Sequence, residues 1–203
     1  MRILKCMLAV FAMAPLMGMP AMSAEQADEN KFCALMDKVS AGAVYYGEIM
    51  QRNTQRIDQL AAHLNENALR PNRINIDLVT KAATDMFVSR LDIGRMSVPL
   101  AYSLDMRVPK TENAYNKVTE AMQALQNQRA QARQLMDKAT ALDQLANSLK
   151  PVTTEDTIYT TDFHRLCEKT AETVGQAKEY LSDLDFINGR LQTLLDRVKP
   201  DGK

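Results

Sequence analysis

Polar and apolar positions alternate along this chain with steps of three and four residues almost from end to end, the period of helices with one buried face. From about Asp28 to Asn67, Phe32, Leu35, Met36, Val39, Ala43, Tyr46, Ile49, Met50, Ile57, Leu60 and Leu64 form one stripe. Asn53 interrupts it, and Gly42 and Gly47 weaken the helix locally, each by up to ~1 kcal/mol relative to alanine. Pro71 ends the segment because a proline nitrogen cannot continue the helical hydrogen bonding. A second segment, from near Asn75 to Arg95, places Ile76, Val79, Ala83, Met86, Phe87 and Leu91 on one face. Gly94 and Pro99 break the pattern, Ser97 to Arg107 reads as a short separate helix, and Val108-Pro109 closes the region.

The third long helix starts at Thr111, an N-cap residue followed by Glu112, and carries Tyr115, Val118, Met122, Leu125, Ala132, Leu135, Met136, Ala139, Leu142, Leu145, Ala146 and Leu149. Arg129 is the one charge in that seam, and Pro151 follows the end. The fourth begins between Thr154 and Asp162 and runs to Val198, with Phe163, Cys167, Thr170, Val174, Ala177, Leu181, Leu184, Asn188, Leu191, Leu195 and Val198 in a heptad-like run. No segment alternates with the two-residue period of a strand. The chain is therefore expected to be all-α.

The N-terminus modifies this picture. Arg2 and Lys5 precede an apolar run from Cys6 through Met17, followed by Gly18, Pro20 and the small-residue patch Ala21-Met22-Ser23-Ala24. This is the layout of a secretory signal peptide, with cleavage expected after Ser23 or Ala24. The run is shorter than the ~20 residues that cross a bilayer, and no later run approaches that length, so no stable membrane insertion is expected after cleavage. The expected organisation is a signal peptide over 1–24, one helical domain over 25–199, and a frayed tail over 200–203, in the periplasm or outside the cell. Loss of the two basic leader residues leaves a net charge of about −2, which does not suggest nucleic acid as a partner.

Cys33 and Cys167 remain after cleavage, and in an oxidising compartment an even pair is most simply one disulfide. Four antiparallel helices joined by short loops would put the two at opposite ends. A second segment folded back at Gly94 to Pro99 adds a reversal and brings them together. The favoured architecture is thus an elongated antiparallel bundle of three long helices with a helical appendage over 68–109; an up-down four-helix bundle is the alternative.

Candidate chemistry is sparse. His164, Cys167 and Glu168 stand at i, i+3 and i+4 with zinc-compatible side chains, but a disulfide would claim Cys167 and no second ligand pair lies nearby. His63 with a methionine is a conceivable haem pair, yet methionines such as Met86, Met122 and Met136 are explained by packing. Asp183 and Asp185 face different sides of a helix. There is no nucleophile elbow, phosphate loop or zinc-protease motif. The expectation is a non-enzymatic protein without catalytic residues, metal or cofactor.

What remains is protein binding. The segment Met96 to Met106 is the most apolar part outside the stripes, and Val98, Leu100, Tyr102, Leu104 and Met106 are its candidate partner-contacting residues. A polar helix surface, Gln51 to Gln59 on the first helix and Gln123 to Gln134 on the third, would separately suit docking against another helical protein. A plan of long helices plus an appendage resembles that of pilus-tip and other accessory proteins of conjugative secretion systems. Small periplasmic helical chaperones share the export and helicity, but their repeated Leu-Thr-x-x-Gln motif is absent. The leading expectation is an exported binding or accessory component of a secretion or envelope assembly. A chaperone of unfolded chains, and an inhibitor or immunity protein, are the alternatives; a homo-oligomer is compatible with all three.

Overall fold

The computed structural model describes residues 23–66, 73–149 and 157–200. The signal-peptide expectation falls almost wholly outside these residues, as does the tail from residue 201. Five helices account for nearly all of the described chain: α1 (Ala24–Glu66), α2 (Arg73–Leu91), α3 (Gly94–Asp105), α4 (Glu112–Leu149) and α5 (Thr157–Val198). No strand occurs among the described residues. The all-α helical bundle is therefore the observed fold.

Each of the three long helices carries a seam of ten buried residues in unbroken four–three alternation among the described residues. On α1 these run Phe32, Met36, Val39, Ala43, Tyr46, Met50, Asn53, Ile57, Leu60 and Leu64. On α4 they run Ala114, Val118, Ala121, Leu125, Gln128, Ala132, Leu135, Ala139, Leu142 and Ala146. On α5 they run Leu166, Thr170, Thr173, Ala177, Tyr180, Leu184, Ile187, Leu191, Leu194 and Val198. Half of the α4 seam is alanine, which leaves room for Phe32, Met36, Tyr46 and Met50 of its neighbour. Burying each large apolar side chain contributes about 1.5–3 kcal/mol, so these seams dominate the stability.

Cross-helix pairs fix the directions. Gly42 against Met96, Tyr46 against Asp92 and Arg56 against Asp85 make α1 antiparallel to α2–α3. Glu29 with Thr111, Asp37 with Lys117 and Asp58 with Lys138 make α1 parallel to α4. Thr170 with Asp143 and Asp185 with Arg129 make α4 antiparallel to α5. Arg90 with Gln176, and Arg197 with the Leu104 carbonyl, make α2–α3 parallel to α5. The result is a four-rod bundle: α1 packs on α4 and on α2–α3, and α5 closes the ring between α4 and α2–α3.

The folded-back appendage is corrected by this arrangement. Between α2 and α3 the backbone at Ile93 stays in the right-handed region, with φ −58° and ψ −17°. The amides of Ile93, Arg95 and Met96 bond three residues back, to Arg90, Asp92 and Ile93. That pattern tightens and kinks a helix without reversing it. Glycine and proline there mark a kink, with Gly94 opening α3 and Pro99 buried inside it. The two helices form one bent rod, the fourth member of the bundle. Residues 106–111 then cross the bundle end beside the start of α1. There Arg107, Val108, Pro109 and Lys110 share a cavity of about 370 Å³ with Ala24, Glu25 and Asp28. Thr111 caps α4 as expected, accepting from the Ala114 amide at 3.1 Å.

The Cys33–Cys167 bridge does not fit this register. Cys33 lies beside Asn113, and Cys167 lies one turn before Thr170, which bonds Asp143. The intervening length of α4 is about 45 Å at 1.5 Å per residue, whereas a disulfide needs Cα atoms within about 7 Å. The premise behind the appendage therefore fails together with it. Burial beside Glu29 and Asp37 also raises the Cys33 thiol pKa above its ordinary value, which disfavours the reactive thiolate.

Candidate functional site: the outward face of the α2–α3 rod

The kink is held by side chains of α1, α3 and the turn between α2 and α3. Tyr46 of α1 donates its hydroxyl to Asp92 Oδ2 at 2.7 Å and lies 3.0 Å from the Asp92 carbonyl. Arg95 Nε pairs with the same carboxylate oxygen at 2.7 Å. Burial, and then the Asp92 hydrogen bond, raise the Tyr46 pKa well above the usual tyrosine range. Across the core, Gln128 of α4 donates to the hydroxyl of Tyr180 on α5, whose pKa burial also raises. Gln128 Oε1 and Asn53 Nδ2 are buried without a hydrogen-bond partner, so the polar layer in the middle of the bundle is only partly satisfied. Gly42 and Gly47 permit close packing on α1. A Cβ on Gly42 would lie 2.7 Å from Met96 Cγ, and one on Gly47 would run into the Gln131 side chain.

The same rod is clamped to α5 by Arg90, which bonds Gln176 at 3.0 Å and pairs with Glu179 and Asp183. These contacts fix how the rod turns, and therefore what it shows to solvent. Its inner side buries Val79, Ala82, Met86, Ser89, Met96, Leu100 and Ser103. Its outer side is also apolar. Phe87, Val88, Leu91, Val98 and Tyr102 are exposed, Leu91 at 70% and Tyr102 at 65%. Phe186 of α5 extends the patch, with the Arg190 guanidinium 4.5 Å from its ring centroid. Ser97, Val98, Ala101, Tyr102, Asp105, Phe186 and Arg190 line an open groove of about 410 Å³. A second groove, on the α1 side, runs beside Tyr45, Ile49 and Val88. Among the described residues, six of the eight large exposed hydrophobic side chains lie on this side of the molecule.

Compared with known proteins, the chain matches no family model, no curated protein and no solved structure.

The structure divides the five residues proposed from sequence. Val98 and Tyr102 face solvent, Leu100 is buried, and Leu104 and Met106 are half-buried against the core. The helical period explains the split: Leu100 lies half a turn away from both Val98 and Tyr102. The sequence reading also put Phe87 and Leu91 on the inner face of the second segment; both are exposed and belong to the outer patch. Val88 and Phe186 were not anticipated. A signal for Val88 existed, since Phe87-Val88 adjacent to Met86 makes α2 apolar on more than one side. Of the metal candidates, His164 and Glu168 are exposed and Cys167 is half-buried on α5. No group of three metal-ligating side chains converges among the described residues. His63 is half-buried near the end of α1, and no described helix is long and apolar enough to cross a membrane.

Proposed function

We propose that this chain is an exported, non-enzymatic protein-binding component of a larger assembly, of the kind found in secretion or envelope machinery, and that it docks through the outer face of the α2–α3 rod. The observation that carries this reading is the apolar patch of Phe87, Val88, Leu91, Val98, Tyr102 and Phe186. Exposed apolar side chains gathered on one side of a helical rod are costly in water and mark a contact site. Aromatic residues are well represented in it, as they are at the centres of protein interfaces. The patch sits on a rod held by Tyr46, Asp92 and Arg90, so its geometry is preset before a partner arrives. Export is supported by the Arg2, Lys5 and Cys6-to-Met17 pattern at the N-terminus.

The test is site-specific photocrosslinking in the producing cell. A benzophenone side chain at Tyr102 or Val98 should give a discrete protein adduct, and one at the exposed Gln134 on α4 should not. Equal yields at all three positions, or none at Tyr102 and Val98, would remove the patch as the docking site.

A further inference from the structure

We infer that the occupant of this face is a second copy of the same chain, paired antiparallel along the α2–α3 rod. This rests on the docking role proposed above and names the partner. The exposed residues of the rod follow their own heptad: Lys81, Thr84, Val88, Leu91, Arg95, Val98, Tyr102 and Asp105, in steps of three and four. That is the spacing of a coiled-coil seam, displayed outward. The seam is self-complementary. When two copies run antiparallel with Leu91 opposite Arg95, the layers become Val88 with Val98, Thr84 with Tyr102, and Lys81 with Asp105. Val88 meets Val98, Tyr102 meets Thr84, Leu91 meets the aliphatic stem of Arg95, and the two ends carry opposite charges. A two-fold interface requires this reciprocity, in which one residue meets another and the second meets the first in the partner.

The flanks agree with the seam. A two-fold axis that reverses the rod and its outward direction keeps the α5 side of one copy against the α5 side of the other. Phe87 lies on that side and is exposed. In the proposed register it comes opposite the groove lined by Val98, Ala101, Tyr102 and Phe186 of the second copy, an apolar cleft open to solvent. Arg95 at the centre is already neutralised by Asp92, so its stem can pack beneath Leu91 without leaving a charge unpaired. An unrelated partner would need none of these coincidences, neither the end charges nor the match of Phe87 to the groove.

The experiment is sedimentation equilibrium on the purified protein, wild type and variants, with circular dichroism as the check on folding. The wild type should have twice the chain mass. Leu91→Asp, at an exposed position, should leave a folded monomer. Lys81→Asp should raise the dimer dissociation constant at least ~10-fold by placing like charges at both ends, and Lys81→Asp with Asp105→Lys should restore it. Val88→Cys with Val98→Cys should give an intermolecular disulfide under mild oxidation. A wild-type monomer at all concentrations overturns the inference. So does a dimer indifferent to Leu91→Asp, or a charge swap that fails to rescue. A photoadduct at Tyr102 with a different protein, together with a monomeric chain, would overturn the second copy while leaving the docking role standing.

Discussion

α4 and the α2–α3 rod are made from the same heptad spacing and end in opposite situations. α4 has one apolar face, half alanine, turned wholly into the bundle; its outer positions, Gln123, Gln126, Asn127, Gln134 and Lys138 among them, are polar. The α2–α3 rod is apolar inside and also exposes Phe87, Val88, Leu91, Val98 and Tyr102 outside. A helix with a single apolar stripe is complete once the bundle has formed, whereas a helix apolar on two sides still exposes one of them to water. The bundle supplies partners for three faces and leaves the fourth rod half satisfied, which separates the residues that hold the fold from those available for binding.

Substitutions of matched type on the two rods should break this comparison most sharply. Leu135→Ala, in the middle of the α4 seam, should cost about 2–5 kcal/mol in urea unfolding, from lost burial and the cavity left behind. Leu91→Ala should change the unfolding free energy of the isolated chain by no more than ~0.5 kcal/mol.

Alkaline pH probes the buried interior, through Tyr46 of α1 and Tyr180 of α5. Tyr46 and Tyr180 are both held neutral by burial, with pKa values raised above that of an unfolded tyrosine. Their contribution is complete below about pH 10, where both states are protonated, and is lost as pH rises further because only the unfolded chain ionises. Each should remove about 1.4 kcal/mol per pH unit above that point. Tyr46→Phe should flatten the decline measured by urea midpoints, and tyrosinate absorbance from these two rings should rise only with unfolding.

A double-mutant cycle sharpens the account of the polar layer. Tyr180→Phe strands the Gln128 amide that donates to it and should cost about 1–3 kcal/mol. Adding Gln128→Met removes the stranded group and its already partnerless Oε1, so the double variant should recover most of that loss. Strict additivity in chemical denaturation would mean that the two side chains do not act together. The smallest effect is a gain. Gly175 and Gly189 are exposed within α5, with open space where a Cβ would sit. Gly175→Ala and Gly189→Ala should each raise the melting stability by about 0.5–1 kcal/mol.

The periodicity made the helices legible, because it registers burial directly. Its phase was only half legible. On α5 the expected stripe of Cys167, Val174, Leu181, Asn188 and Leu195 is the half-buried flank, one residue beyond the buried Leu166, Thr173, Tyr180, Ile187 and Leu194. A helix packed between two neighbours buries a face wider than one seam, and which edge goes deeper is set by tertiary contacts. For the same reason Gln128, not Arg129, occupies the α4 seam, while Arg129 lies at its edge and pairs with Asp185. The pairing of rods was illegible, and the two cysteines misdirected it: an even count carries no information about position. The docking face is half visible in the sequence because Met96 to Met106 is a linear apolar segment, and a helix distributes such a segment between core and solvent.

The measurement that bears most directly on this account is the unfolding free energy of Leu91→Asp, taken at a dilution where the chain is monomeric, alongside its crosslinking yield from a benzophenone at Tyr102. The account predicts a stability within about 0.5 kcal/mol of the wild type and a lost adduct, because Leu91 belongs to a binding face and not to the core. A stability loss comparable to that of Leu135→Ala, or an adduct that survives the charge, would contradict it.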